Sequence, residues 1–386
     1  MTKINSKSSI FKILIIFLSW KFILIMTLLL AIKFVPLGYT DRFLGGGVVN
    51  YNNTPEFFSW ANFDGEHYLS ISIFGYKKLE QAFFPVFPFL ISFFSKPFSS
   101  DFASSIVNSI IVGILISNIA FLLALFMLWK LMIIDFSKQL TLFTIFLITI
   151  FPTSFYFGAL YSESLFLLLT LLAFFFARKG NWFLASIFGM IASATRVFGI
   201  LLLPAFIIEA YVQTKKSAQM IWMLLIPLGL GAYMFYQYLN FGDPLAFYNL
   251  QELVGEQRQS GFVLLPQVYF RYLKMISTVD IHNPIYQTIL LEFICGILFF
   301  ILPIYGVIKK IRLSYLFYAW IGFLVSAIQG SFSSVPRYVI VFFPAFIALA
   351  VFLSNSPKIL RFIVILISVI LLIIETALYL RGYWIA

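Results

Sequence analysis

One short stretch concentrates more potential chemistry than any other part of the chain: Trp60, Asn62, Phe63, Asp64, Gly65, Glu66, His67 and Tyr68. It contains one of only 2 histidines. Carboxylates at Asp64 and Glu66 beside the imidazole of His67 could supply a general base, a clamp for substrate hydroxyls or metal ligands. A solvated loop in which Asp64 caps a helix and Glu66 favours its dipole accounts for the same residues. Glu163, in Tyr161-Ser162-Glu163-Ser164, opens an apolar run, so it either serves the helix start or holds a sugar hydroxyl. Arg196 lies in apolar surroundings, where a guanidinium is costly and faces a cavity or a partner. It is either half of a structural ion pair or a phosphate or substrate contact. Arg337 follows the polar turn Gly330 to Ser334; its planar fork suits phosphate, with snorkelling to water as the alternative.

The elements that must position these residues are membrane helices. The chain is 62% hydrophobic and 11% charged, with 49 Phe, whereas a soluble domain is about a quarter charged. Soluble, disordered, fibrous, nucleic-acid-binding and disulfide-stapled classes are excluded together, and no nucleic-acid partner is expected. The net charge of +11 follows from Lys and Arg clustered in one set of loops. Cys295, the lone cysteine, sits in an apolar run and permits no internal disulfide.

Apolar runs near 11–36, 104–129, 140–159, 162–177, 218–240, 286–308, 313–330, 336–353 and 358–380 match the bilayer core and predict about nine full spans. Residues 182–212 are the difficult stretch: as one helix they would rise roughly 46 Å, enough for one tilted crossing but not two. Thr195, Arg196 and Gly199 supply a break, and a broken, re-entrant pair is predicted. That even number of passes keeps the basic clusters, from Lys3, Lys7 and Lys12 through Lys130, Lys138, Arg178, Lys179, Lys215, Lys216, Lys309, Lys310 and Arg312 to Lys358 and Arg361, on the cytoplasmic side. Most acids, including Asp41, Asp64, Glu66, Glu163, Glu252 and Glu256, then lie outside, and Asp135 inside. Two long outer loops, 37–103 and 241–285, form the expected active-site face of a single transmembrane domain, residues 1–386. Two prolines, Pro85 and Pro88, make the aromatic run 82–89 an interfacial segment, either an anchor or one wall of a lipid groove. No Walker-type glycine loop, His-x-x-x-His helix or Gly-x-Ser-x-Gly is present.

Three blocks resemble a known family. They are WANFDGEHYLSISIFGY (Trp60 to Tyr76) with AFFPVFP (Ala82 to Pro88), YSESLFLLL with ASATRVFGILLLP (Tyr161 to Pro204), and SVPRYVIVFFP (Ser334 to Pro344). Together they resemble the GPI mannosyltransferase 2 (PIG-V) family and its prokaryotic relatives, of the GT-C class of polytopic glycosyltransferases. The first block is the most specific. Asp64 matches the family's first-loop acid and Glu66, His67 and Tyr68 its neighbours, while Phe63 stands where the family usually has Trp.

The resemblance implies an all-α GT-C-type bundle with a large first outer loop. It implies transfer of a sugar, usually mannose, from a polyprenyl- or dolichyl-phosphate donor to a lipid or glycan acceptor on the non-cytoplasmic face. Asp64 would be the general base, with Trp60, Glu66, His67, Tyr68, Glu163, Arg196 and Arg337 binding substrate. The arginines would stabilise the leaving phosphate, so no cofactor and no obligatory metal is expected. The membrane would be the plasma membrane of a prokaryote or the ER of a eukaryote. A lipid-linked-sugar flippase or transporter is the alternative; it would place ionisable residues near mid-membrane on several helices, whereas most here collect at one face.

Overall fold

The computed structural model describes residues 6–38, 44–213, 218–250, 263–283 and 285–385. Lys3, Asp41, Lys215, Lys216, Glu252 and Glu256 lie outside them, as does the side chain of Lys7. The described residues form helices and turns without strands. The longer helices are α1 (Ser6–Phe34), α2 (Asp64–Phe74), α3 (Val86–Ser95), α4 (Phe102–Met132), α5 (Lys138–Thr149), α6 (Glu163–Arg178), α7 (Trp182–Ser193), α8 (Leu202–Val212), α9 (Ile226–Phe241), α10 (Leu265–Thr278), α11 (Ile285–Ile308), α12 (Leu313–Ala327), α13 (Phe343–Ser354) and α14 (Lys358–Leu380).

Five helical segments are long and apolar enough to cross a membrane: α1, α4, Gln219–Phe241 (a tight turn running into α9), α11 and α14. Even the 23 residues of α14 rise about 34 Å, against a hydrocarbon core of about 30 Å. Their outer faces carry large apolar side chains in the open, such as Phe11, Leu18 and Phe22 on α1. Such a surface is stable only against lipid, and the protein is an integral membrane protein.

The count of about nine full spans is not reached by regular helices. Runs 140–159, 162–177 and 313–330 contain α5, α6 and α12, of 12, 16 and 15 residues. Pro152 lies just after α5, and residues 150–162 turn irregularly before α6 starts. The run 336–353 is two helices, Val335–Val341 and Phe343–Ser354, bent by 86°. Pro344 has no amide hydrogen to continue the first helix and restricts the residue before it.

Residues 182–212 fold as the predicted broken pair. Helix α7 ends at Ser193, Arg196 is extended, and α8 returns. Both ends lie at one end of the bundle: α7 starts just after Gly180, and Gln213 beyond α8 donates to the Ala177 carbonyl of α6 at 2.9 Å. Gly199 is required at the turn, because a Cβ there would stand 2.3 Å from the backbone nitrogen of Ser193.

At that end a buried ion cluster clasps the helices. Arg312 makes two 2.6 Å bonds to Glu209, Arg178 Nε lies 3.4 Å from the same carboxylate, and Ser314 donates to it at 2.6 Å. Arg178 also pairs with Asp135. Opposite, the described part of the first loop packs on α4 through Tyr51, Phe58, Leu69, Phe87 and Ile110. It is tied to the end of α14 by Tyr51 Oη to Leu380 O, 2.5 Å, and Asn62 Nδ2 to Tyr379 O, 3.0 Å. Pro88 sits in the first turn of α3, where its missing amide costs no helical bond. Phe89 and Phe93 project outward beyond it.

Candidate active site

Four charged side chains from four distant segments form an alternating chain. Asp64 Oδ2 accepts from Arg337 Nη1 at 2.5 Å. Arg337 Nε lies 3.8 Å from Glu163 Oε1, which is 2.6 Å from Arg196 Nη1. The order is carboxylate, guanidinium, carboxylate, guanidinium, and the formal charges sum to zero. Glu163 and Arg337 are almost fully shielded, while the Asp64 side chain keeps 21% of its exposure.

Each member arrives by a local device. Asp64 is the first residue of α2, preceded by Phe63 at φ 56°. That left-handed conformation is uncommon for a bulky residue and costs on the order of 1–3 kcal/mol. Phe63 is held in it between the rings of Tyr379 and Trp384, at centroid distances of 5.9 and 5.7 Å. Arg337 lies on a single helical turn entered through Ser334, also left-handed at φ 63°. Glu163 opens α6, and Arg196 is carried in by the tip of the α7–α8 pair.

Helix capping does not account for these residues. The carboxylate of Asp64 turns to Arg337 and not to its own helix start. Ser162 makes no side-chain cap; its hydroxyl is 2.9 Å from Tyr68 Oη and 3.3 Å from Arg196 Nη1. Snorkelling is likewise excluded for Arg337, whose guanidinium lies over the rings of Tyr156, Tyr161 and Tyr338 at 5.7, 5.7 and 5.0 Å. Cation–π contact suits a guanidinium withdrawn from water. Arg196 also lies over the Tyr338 ring, at 5.4 Å. Two buried polar atoms in the chain, Glu163 Oε2 and Arg337 Nε, have no hydrogen-bond partner. An orphaned acceptor and donor side by side are suited to polar groups of a ligand.

The structure therefore joins Asp64, Glu163, Arg196, Arg337 and Tyr68. It places the other three candidates elsewhere. Glu66 turns towards the backbone amides of Gly46 and Gly47. Gly45, Gly46 and Gly47 all have positive φ, and the Gly47 amide donates to the Leu44 carbonyl at 3.1 Å. Burial pushes the Glu66 carboxyl up to about 7, and the two amides partly oppose that. His67 stacks on Phe83 at 4.7 Å, and burial lowers its pKa while Asp64 and Glu80 work against the shift. Trp60 is buried, with its ring 5.1 Å from Lys21 Nζ and its carbonyl accepting from Leu160 N at 2.9 Å.

Sequence reasoning missed the aromatic wall of Tyr156 and Tyr379, the positive-φ turn at Gly45–Gly47, and the direct pairing of Arg337 with Asp64. Pro152-Thr153-Ser154 inside an apolar run was the available sign that residues 150–162 leave the helix and turn inward. Three consecutive glycines were the sign of a backbone that must take positive φ. Among the described residues, no group of three or more His, Cys, Asp or Glu could share a metal ion. Asp64 and Glu163 are moreover each occupied by a guanidinium.

Among solved structures, the chain is similar to the oligosaccharyltransferase of Archaeoglobus fulgidus. To the apo form the identity is 15% and the TM-score 0.45, covering 95% of this chain and 56% of that one. To the complex of AglB from the same organism with an inhibitory peptide and a dolichol-phosphate, the figures are 14%, 0.43, 95% and 56%. This chain thus spans about half the length of those proteins. No curated protein matches it. The model of one family, mannosyltransferase (PIG-V), matches residues 10–242, which include the first loop with Asp64, the start of α6 with Glu163 and the hairpin tip with Arg196, and the chain belongs to that family.

Proposed function

We propose that the protein is a membrane glycosyltransferase that moves a sugar, mannose by its family, from a polyprenyl- or dolichyl-phosphate donor to a hydroxyl of a lipid or glycan acceptor. The observation that carries this is the Asp64–Arg337–Glu163–Arg196 chain. A base and two guanidiniums stand within one polar site, which is the set needed to deprotonate an acceptor and receive a phosphate. Asp64 takes the proton of the acceptor hydroxyl as its oxygen bonds to the anomeric carbon. The bond from that carbon to the phosphate oxygen breaks, and the electron pair leaves on the lipid phosphate. Arg337, with Arg196, shares its donors between the carboxylates and the developing phosphate charge. Glu163 Oε2 is available to a sugar hydroxyl. No step requires a metal ion.

The non-cytoplasmic face is supported by charge. Helix α6 rises about 22 Å between Glu163 and Arg178, and Arg178 and Arg312 share Glu209 at the end away from the site. Arg361, 5.9 Å from the Phe143 ring of α5, belongs to the same end. Lys and Arg concentrate on the cytoplasmic side, so the site faces outward, in a plasma or ER membrane. About nine crossings within one domain remain compatible with this layout if the short helices α5, α6 and α12 cross together with their irregular extensions.

The test is transfer of labelled mannose from polyprenyl-phosphate-mannose in proteoliposomes. Asp64→Asn keeps shape but accepts no proton, and transfer falls on the order of a hundredfold or more. Full activity in that variant, or donor flipping without transfer in the wild type, overturns the proposal.

A further inference from the structure

A second site lies beyond the charge chain, between α10 and the Gly330–Ser331 turn. It is a cleft of about 350 Å³ lined by Arg271, Tyr272, Lys274, Thr278, Gly330 and Ser331 among others. That size is within the ~300–1,000 Å³ of small-ligand sites. Among the described residues that line it are a guanidinium, an ammonium and hydroxyls, with the Glu292 carboxylate hydrogen-bonded to Tyr272 behind them, and the two cations give it the chemistry of an anion site. Arg271 and Lys274, three apart on a helix, lie on one face. Arg271 Nη1 donates to Gly330 O at 2.9 Å, which fixes the guanidinium against the turn.

The helix indicates where the anion comes from. Val268 and Tyr272 of α10 are buried, while Phe270 and Leu273, next in sequence to the two cations, stand 66% and 55% exposed. A helix that sets apolar side chains beside Arg and Lys is built for the headgroup level of a bilayer, where anionic lipids are drawn to basic residues.

The cleft is also wired to Arg337. Tyr272 Oη donates to Glu292 Oε2 at 2.5 Å and lies 3.2 Å from Ser331 Oγ. Glu292 Oε1 accepts from Ser334 N at 3.2 Å, at the left-handed residue that opens the Arg337 turn. One wall of the cleft and the backbone that aims Arg337 are therefore the same segment.

We propose that this cleft binds the phosphate headgroup of an anionic membrane lipid and that the bound headgroup holds the turn carrying Arg337. The acyl chains lie along Phe270 and Leu273. The proposal stands on the cleft and needs no particular reaction at Asp64, so it is tested by binding.

Delipidated protein in neutral detergent is given phosphatidylglycerol or phosphatidylcholine in equal amounts, and bound lipid is counted by native mass spectrometry. Wild type is expected to prefer phosphatidylglycerol roughly tenfold or more. Arg271→Gln/Lys274→Gln loses that preference, whereas Lys309→Gln/Lys310→Gln, with the same charge loss at the opposite end of α11, keeps it. Excess soluble glycerol phosphate leaves the lipid bound. Unchanged preference in the α10 variant, or equal loss in both variants, overturns the site. Displacement by glycerol phosphate overturns the lipid as its source and assigns the cleft to a free phosphate ester.

Discussion

Asp64 and Arg337 are separated by 273 positions in the sequence, yet their side chains meet at 2.5 Å. The residue best suited to accept a proton is thus held by the residue best suited to receive a phosphate. In the proposed reaction, a donor phosphate that engaged Arg337 would loosen its hold on Asp64 and release the base.

That coupling separates Arg337→Lys from a simple charge test. Lysine keeps the charge but lacks the planar fork that reaches a carboxylate and a phosphate together. A charge-assisted contact is worth about 1.5–3 kcal/mol, so the variant is expected to lose one to two decades in donor use, with the acceptor KM little changed. Kinetics with each substrate varied in turn check this. Wild-type donor dependence would remove Arg337 from the phosphate.

Gly199→Ala tests the hairpin that delivers Arg196. The added methyl would meet backbone at 2.3 Å, and backbone cannot swing aside. Overpacking of this kind costs about 1–3 kcal/mol, and displacement of Arg196 would reduce transfer as well. Gly231, with nothing within 4 Å of a built Cβ, provides the control: Gly231→Ala on α9 leaves melting temperature and activity at or above wild type.

Glu209→Ala tests the opposite end. It leaves Arg178 and Arg312 without the carboxylate they share, and removing one partner from a buried ion cluster costs roughly 3–5 kcal/mol. Thermal inactivation in detergent should accelerate, while the KM for the donor stays unchanged in the surviving protein. A shifted donor KM would show that the clasp also sets the site geometry.

Glu66 gives a pH dependence of definite sign. Its carboxyl ionises near 4.5 ordinarily and near 7 in the fold, so between those values the folded state holds the extra proton. The stability it contributes is present below about pH 4.5 and is lost as pH rises through about 7. Glu66→Gln cannot ionise and keeps the shape of the side chain. Melting curves should converge near about pH 5 and separate near about pH 8, with the variant the more stable. Parallel curves at every pH would show that Glu66 is ionised throughout.

Composition and periodicity were enough to establish a helical membrane protein and the long helices α1, α4, α11 and α14, because bilayer thickness acts on local sequence; for 182–212 they left a single crossing and a broken pair open, and only the placement of the basic clusters favoured the pair. Residue type marked Arg196 as out of place in apolar surroundings, where ionisable groups persist only with a partner, and marked Asp64, Glu163 and Arg337 as chemistry-bearing groups in a polar loop, at a helix start and after a polar turn. Which partner each one takes was decided by tertiary structure alone. Pairing between segments hundreds of residues apart depends on where the bends at Phe63, Arg196 and Ser334 aim each side chain, and those bends are held by distant rings and by close backbone approach. Glu66 shows the same limit: two positions from Asp64 in sequence, it is turned by the helix to a different environment, beside the backbone amides of Gly46 and Gly47 and not an arginine.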